Sequence, residues 1–300
     1  MDIVISGASG LIGAALIAAL RQAGHRPIAL VRHPPKGDEI GWDPSAGSID
    51  ASSLEGVDGV VHLAGAGIND HRWNDEYKRI LHDSRTLPTA LLASTIAGLS
   101  KPPPVLVSGS AIGYYGSRGA EELTEDSAPG EDFFSRLCID WEAATATAED
   151  AGVRVVHIRS GMVLSTKGGA LKKQMPLFRF GLGGHFGSGS QWQSWISIDD
   201  EVAAIIHLLT AHVRGPVNLT SPQPVTNREF TQTLARTLHR PAFFPIPTFA
   251  PKIVLGGELV DSVLLVSQRV LPRALEASGY VFAFPELETT LRHLLERRAA

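Results

Sequence analysis

Three glycines near the amino terminus have a spacing that could hold a phosphate group. They follow the apolar run Ile3-Val4-Ile5 as Gly7-x-x-Gly10-x-x-Gly13, and a second apolar run occupies 14–20. Gly7 would permit a tight turn after a strand, Gly10 would let the backbone approach a pyrophosphate, and Gly13 would let a helix pack closely on a sheet. The start of that helix offers free N–H groups and a positive dipole end. The spacing therefore predicts a dinucleotide-binding turn.

The end of the second predicted strand indicates which dinucleotide this turn would hold. The strand 28–31 is followed by Arg32-His33, and no acidic residue occurs before Asp38. An acidic side chain at this point would bind a ribose 2′-hydroxyl, whereas a guanidinium suits the geometry of a 2′-phosphate. We therefore expect NADP(H) rather than NAD(H). The alternative is that Arg32 is an ordinary solvated side chain at the end of a strand.

The third predicted strand, 57–63, supplies further candidate cofactor-binding residues, namely His62, Leu63 and Ala64. The small residues that follow at the carboxyl end of this strand would leave room for the adenine ribose. Helix–strand packing explains the small residues Ala66 and Gly67 equally well. Arg85, on the next predicted helix, is either another cofactor contact or a surface residue.

The elements that must position these residues alternate along the chain. Apolar, β-rich runs at 2–5, 28–31, 57–63, 104–108 and 153–158 are separated by helical patterns at 14–23, 74–98 and 133–151. Short strands between helices favour a parallel sheet that is covered on both faces. We predict an α/β fold, with a doubly wound, mostly parallel Rossmann sheet and a smaller C-terminal α/β lobe.

The composition of the sequence changes after Arg159, which suggests two domains. Glycine and aromatic residues are interleaved through 181–195, and prolines recur through the last hundred residues. We assign 1–165 to an NAD(P)-binding Rossmann domain, with 194–222 returning to its sheet. Residues 223–300 are predicted to form a C-terminal substrate lobe, to which 166–193 contribute.

Composition limits the class of protein and its partners. The 300 residues carry a formal net charge of −4 and no long basic run, so we expect no nucleic-acid partner. A single cysteine excludes an intrachain disulfide and fits a cytoplasmic location. We identify no signal peptide, no apolar run of about 18 residues that would span a membrane, and no metal-ligand spacing. The expected partner is a small-molecule substrate, and the oligomeric state stays open.

Motifs along most of the chain resemble one protein family. The glycine turn, Leu63-Ala64-Gly65, Ser108-Gly109-Ser110 and 195–200 resemble the extended short-chain dehydrogenase/reductases. Longer motifs, including Gly113-Tyr114-Tyr115-Gly116, Trp141-Glu142, 159–164 and 178–191, are similar to the atypical "epimerase family protein" group of the NAD-dependent epimerase/dehydratases. The resemblance implies an NADP(H) site formed by Gly7, Gly10, Leu11, Ile12, Gly13, Arg32, Leu63, Ala64, Arg85 and Val163.

The acid–base pair that the resemblance implies is absent. The superfamily uses a Tyr with a Lys four residues later, where the cation lowers the pKa of the phenol, and a Ser that orients the substrate oxygen. The helix that contains Trp141-Glu142 places Phe134 at the Tyr position and Cys138 at the Lys position, while Ser110 occupies the Ser position. None of the four tyrosines precedes a lysine by four residues.

Two functions fit this departure. In the first, the protein is an NADP(H)-dependent oxidoreductase or epimerase with a relocated acid. Ser110 and Tyr115 are then the candidate catalytic residues, although Tyr115 is alternatively a buried loop residue with a satisfied hydroxyl. In the second, the protein binds NADP(H) without turnover and serves a regulatory or partner-binding role. Cys138 is either a redox thiol or, more simply, a core residue.

Overall fold

The structure, a computed structural model, describes residues 1–242 and 245–296. The described residues form fourteen strands and eleven helices. The strands are β1 Asp2–Ser6, β2 Arg26–Val31, β3 Ile40–Asp43, β4 Ser48–Ile49, β5 Gly59–His62, β6 Val105–Ala111, β7 Glu122–Leu123, β8 Arg154–Ser160, β9 Met162–Leu164, β10 Trp192–Gln193, β11 Trp195–Ser197, β12 Gly215–Leu219, β13 Val225–Thr226 and β14 Arg269–Val270. The helices are α1 Leu11–Gln22, α2 Asp75–Ala97, α3 Phe133–Ala143, α4 Ala146–Asp150, α5 Gly169–Arg179, α6 Ile198–Thr210, α7 Asn227–Thr237, α8 Phe249–Leu255, α9 Gly257–Leu259, α10 Arg273–Ala277 and α11 Leu287–Glu296.

The main sheet has eight strands in the order β12-β8-β6-β5-β1-β2-β3-β4. β1 pairs in parallel with both β2 and β5, and β5 and β2 pair in parallel with β6 and β3. The short edge strand β4 is paired antiparallel, against β3. The chain thus winds outward from β1 in both directions, which confirms the predicted doubly wound α/β fold.

Apolar side chains fill both faces of this sheet. β1, β5 and β6 are almost wholly buried, as expected for parallel strands that are covered by helices. One core cluster joins Val4, Val60 and Leu106 from the sheet with Leu92 and Ile96 from α2. The carboxyl ends of β1, β5 and β6 are thereby held next to one another by register, with Ser6 beside His62 and His62 beside Ser108.

The chain divides into two compact units. Unit 1 comprises Met1–Tyr114, Arg136–Arg159 and Val202–Val217, and unit 2 comprises Tyr115–Ser135, Ser160–Glu201 and the chain from Asn218 onward. Unit 2 contains three two-stranded sheets and packs α7 against α11. The domain boundaries set from the sequence stay a prediction, and residues 243–244 and 297–300 of the C-terminal lobe lie outside the described residues.

Two features of the predicted elements were wrong or missed. The helix expected over 133–151 is two helices, α3 and α4, because Thr145 Oγ1 bonds the Glu142 carbonyl oxygen at 2.8 Å and His157 Nε2 at 2.8 Å. Such a side chain competes with the helical backbone. Helix α5 falls where glycine content masked the apolar pattern of Leu171, Met175 and Phe178, which are all buried.

Candidate functional site

The glycine turn between β1 and α1 has the geometry that dinucleotide binding requires. Gly7 adopts φ +68°, and a Cβ there would lie 2.7 Å from the backbone of Leu63. A Cβ on Gly13 would collide with the carbonyl of Gly7. No side chain caps the start of α1 at Gly10, and no acidic residue lies in the first turn. The N–H groups at Leu11 and beyond therefore face no competing carboxylate, which fits a pyrophosphate.

Arg32 lies immediately after β2 and is exposed. It has no hydrogen bond or ion pair with another described residue. An unneutralised guanidinium at the end of the second strand has the chemistry that a ribose 2′-phosphate needs. Its role in discriminating between dinucleotides stays a prediction.

His62 supports the end of β5 from inside the core. Its ring is fully buried, and Nδ1 lies 2.6 Å from the Oγ of Ser6. That same Oγ accepts the N–H groups of Leu63 at 3.1 Å and Ala64 at 3.3 Å. Burial lowers the pKa of His62 to about 4, so the ring is neutral at physiological pH. His62 therefore orients the backbone of Leu63 and Ala64 through Ser6, instead of offering an exposed ring.

Arg85, on α2, holds the next part of the same loop. Its guanidinium donates to the carbonyls of Leu81 and Ala66, both at 2.9 Å, and lies 5.2 Å from the ring centroid of Trp141. Gly65 makes room for it, since a Cβ there would lie 3.2 Å from the guanidinium carbon. Arg85 is thus a buried residue and not the surface side chain of the alternative, while a cofactor contact stays a prediction.

Ser110, at the carboxyl end of β6, is joined to an acidic group that the sequence did not single out as catalytic. Its Oγ donates to Oε1 of Glu142 at 2.6 Å. Arg159 forms a bidentate ion pair with the same carboxylate, Nε to Oε1 and Nη2 to Oε2, both at 2.8 Å. The exposed fractions of the Arg159 and Glu142 side chains are 3% and 12%. We call Ser110, Glu142 and Arg159 the buried triad.

An aromatic side chain packs against the buried triad. The guanidinium carbon of Arg159 lies 3.4 Å from the ring centroid of Tyr114, which is a cation–π arrangement. Glu142 lies one helical turn beyond Cys138 on α3, and Arg159 is near the end of β8. The available signal was that Glu142 and Arg159 both fall in motifs that carry the family resemblance, but their separation of 17 residues in the chain hid the contact.

Phe134 and Cys138 do not replace the missing acid–base pair. Cys138 is buried, with Sγ 3.6 Å from the Ala111 carbonyl oxygen, and burial raises the pKa of the thiol to about 12. A thiol in this state is neither a thiolate nor a cation, so the redox interpretation is not supported. Phe134 packs its ring 5.8 Å from the ring of Phe133 and carries no titratable group.

Tyr115 has the environment of a packing residue. It is fully buried in unit 2, and its hydroxyl donates to Oδ1 of Asn218 at 2.7 Å. Asn218 in turn donates to the carbonyl of Leu271 at 3.0 Å. This arrangement fits the alternative of a buried loop tyrosine with a satisfied hydroxyl, and a catalytic role for Tyr115 stays a prediction. Val163, on β9, pairs with Ile196 of β11, and its cofactor role stays a prediction.

The described residues contain neither a metal-binding cluster nor a membrane-spanning helix. Across 1–242 and 245–296, no three histidine, cysteine or acidic residues come together in a group able to hold a metal ion. Over the same residues, no helix has the length and apolar character that crossing a membrane requires.

The fold and the glycine turn define a dinucleotide-binding α/β protein, and comparisons with known proteins narrow the class. A profile described as the NAD dependent epimerase/dehydratase family matches residues 3–220, and a domain of unknown function, DUF1731, matches 246–294. The chain therefore belongs to the NAD dependent epimerase/dehydratase family, as the sequence motifs predicted.

Individual relatives resemble the chain over nearly its full length. Epimerase family protein MT2273 of Mycobacterium tuberculosis is 43% identical over 282 residues, covering 93% of each protein. Epimerase family protein SDR39U1 of Homo sapiens is 39% identical over 299 residues, covering 98% of this chain and 100% of the human one. The crystal structure of human SDR39U1 (isoform 2) with NADPH matches with a TM-score of 0.91 and 38% identity, and covers 99% of both chains.

Proposed function

We propose that this protein binds NADP(H) at the glycine turn and transfers hydride to or from a small molecule that carries a carbonyl or hydroxyl group. The observation that carries the proposal is the close-packed turn of Gly7 and Gly13 in front of an uncapped helix start. The crystal structure of the human relative with NADPH supports the choice of cofactor. The free charge of Arg32 supports it independently.

Five of the predicted cofactor residues have distinct tasks in this proposal. The N–H groups of Leu11 and Ile12 bind the pyrophosphate, and Arg32 binds the 2′-phosphate. His62 and Arg85 fix the backbone of the loop that follows β5, through Ser6 and the carbonyl of Ala66. The bound cofactor supplies or accepts the hydride, and the protein must therefore supply or accept the proton.

The buried triad is the best candidate for that proton transfer. The Ser110 hydroxyl already donates to Glu142, so its lone pairs are available to a substrate hydroxyl. During oxidation of an alcohol, the substrate O–H proton would pass to Ser110 Oγ while the Ser110 proton passes to the Glu142 carboxylate. Arg159 holds Glu142 in place through two hydrogen bonds.

The experiment that tests the proposal separates binding from turnover. Binding of NADPH to the purified protein is followed by fluorescence, and a panel of aldehydes, ketones and quinones is then added while nicotinamide absorbance is recorded. We expect saturable binding and oxidation. Ser110→Ala and Glu142→Gln should each lower the rate about 100-fold or more with an unchanged NADPH affinity. Ser100→Ala, at an exposed serine, serves as the matched control.

The alternative function makes the opposite prediction for the same experiment. A non-catalytic NADP(H)-binding regulatory or partner-binding protein would bind NADPH stoichiometrically and consume none of it with any member of the panel. The complete internal pairing of Glu142 and Arg159 is compatible with this alternative, because a buried ion pair also specifies packing. For either function we propose a cytoplasmic location, which the single cysteine supports.

A further inference from the structure

Unit 2 contains a cavity of about 850 Å³ whose charged lining is entirely basic among the described residues. The basic residues that line it are His185, Arg228, Arg236, His239 and Arg240. Gln232 and small or apolar residues complete the wall. The chain as a whole carries a formal net charge of −4, so this concentration of positive charge is local.

Neutral groups hold two of the arginines in place and leave their charge uncompensated. Nη2 of Arg228 donates to the carbonyl of Ser188 at 2.6 Å. Nε of Arg240 donates to the carbonyl of Arg179 at 3.0 Å, and its Nη1 to that of His239 at 3.1 Å. Carbonyl oxygens orient a guanidinium without neutralising it. These two cations can therefore still bind an anion.

The third arginine, Arg236, shares the carboxylate of Glu288 with Arg292. Nη2 of Arg236 lies 3.6 Å from Glu288, whose other oxygen bonds Arg292 at 2.5 Å. The distance to Arg236 exceeds that of a good hydrogen bond. An added anion could therefore compete for Arg236 without displacing a strong ion pair.

The remaining lining residues lie on α7, directly after α7, and at His185. Arg228 and Arg236 lie eight residues apart on one face of α7, with Gln232 between them, so they point into the same cavity. His239 follows the helix with φ +53°, a left-handed conformation that glycine adopts more easily. Nδ1 of His185 is buried and has no hydrogen-bond partner among the described residues. The left-handed residue ends α7 with the backbone hydrogen bonds His239 N to Arg236 O and Arg240 N to Ala235 O, both at 3.0 Å. An anion that reaches Nδ1 of His185 would give this nitrogen a hydrogen-bond partner.

We propose that this cavity binds the phosphate group of a small anionic molecule. The cavity has the volume of ordinary small-molecule sites, about 300–1,000 Å³, and arginine forks suit phosphate oxygens. The site uses none of the residues assigned to NADP(H). It is therefore a second binding site, and its existence does not depend on the proposed hydride transfer.

Isothermal titration with inorganic pyrophosphate tests the site directly. The protein is first saturated with NADPH, so that the glycine turn cannot bind the probe. We expect saturable binding that weakens about tenfold or more in Arg236→Gln/Arg240→Gln. Arg273→Gln is the matched control, because Arg273 is exposed to the same extent as Arg236, 59% against 60%, and also pairs with a glutamate. This control should bind like the wild type.

Three results would overturn the proposal. In the first, the wild type shows no saturable binding of pyrophosphate. In the second, the double variant and the control lose pyrophosphate affinity equally. In the third, the double variant binds pyrophosphate as tightly as the wild type. Sedimentation with vesicles of phosphatidylcholine and phosphatidic acid distinguishes a lipid headgroup from a free phosphate compound. Vesicle binding that requires Arg236 and Arg240, without pyrophosphate binding, would contradict a small-molecule site. If NADPH itself fails to bind, the same variants in NADPH-free protein still decide the question.

Discussion

Arg32 carries a positive charge that no described residue neutralises, and its position after β2 makes it the residue on which cofactor preference depends. Arg32→Ala should weaken NADPH binding by about 10- to 100-fold and leave NADH binding nearly unchanged. The reason is that a charge-assisted hydrogen bond contributes about 1.5–3 kcal/mol, and only NADPH carries the 2′-phosphate. Fluorescence titration of both cofactors measures the difference.

Arg21→Ala provides the control for this substitution, because Arg21 is also an exposed arginine and lies in the last turn of α1. It should alter neither affinity. Equal losses of NADPH and NADH affinity in Arg32→Ala would mean that Arg32 does not contact the 2′-phosphate.

Glu201 is a second residue whose environment predicts a measurable effect. It is fully buried, Oε1 accepts a hydrogen bond from Ser160 at 2.6 Å, and Oε2 has no partner among the described residues. Burial raises the pKa of Glu201 to about 8, so the folded state keeps the proton that the unfolded state releases near pH 4.5. This contribution to stability is fully present below pH 4.5 and is lost as the pH rises toward 8.

Glu201→Gln removes the titration and should flatten this dependence. Between about pH 5 and pH 8, wild-type stability should fall relative to that of the variant by up to roughly 1.4 kcal/mol per pH unit. Urea unfolding at both ends of the range measures it. Glu131→Gln, at an exposed glutamate, should follow the wild-type profile. A parallel profile for Glu201→Gln would show that Glu201 ionises normally.

At the scale of elements, the β1–α1 turn depends on close packing as well as on backbone conformation. Gly7 and Gly24 both adopt left-handed φ values, +68° and +77°, but only at Gly7 would a Cβ meet another backbone. Gly24→Ala should therefore cost about 1–2 kcal/mol from conformation alone. Gly7→Ala should cost more and should also weaken NADPH binding, because Leu63 must move. Thermal unfolding and NADPH titration of both variants test this, and equal costs would contradict it.

The sequence predicted the elements of unit 1 better than those of unit 2. Apolar runs at β2, β5, β6 and β8 are local signals. Both faces of β5, β6 and β8 are buried, whereas β2 alternates between buried and partly exposed residues, and in each strand the apolar run was enough. The strand β3 and the edge strand β4 were missed, because they are short and few of their residues face the core: Ile40 and Trp42 are buried, and Ile49 packs against the same cluster. The two-residue strands β7 and β14 pair with each other although they are about 150 residues apart in the chain. No local sequence pattern predicts strands of this kind.

At the scale of the whole molecule, cofactor binding should stabilise the protein by mass action. NADPH at about 100 times its dissociation constant would add about 2.7 kcal/mol to the free energy of unfolding of the binding unit. The unfolding midpoint should rise by about 5 °C or more. Arg32→Ala at the same NADPH concentration should show a much smaller rise. Differential scanning calorimetry measures both, and an unchanged midpoint in the wild type would contradict NADPH binding.

The sequence by itself determined the class of the protein. The spacing of Gly7, Gly10 and Gly13, the alternation of strands and helices, and the absence of a Tyr–Lys pair are all short-range properties of the chain. These patterns span only a few residues each, and the backbone geometry that they reflect is local. They can therefore be read from a single sequence.

Only the tertiary structure decided which groups meet. Ser110 and Glu142 are 32 residues apart, and Glu142 and Arg159 are 17 apart, yet the neighbouring strands β6 and β8 and the helix α3 bring them within hydrogen-bonding distance. The same packing buried Tyr115 against Asn218. Contacts of this kind arise from strand order and side-chain burial, which are set by the whole hydrophobic core and not by any local pattern.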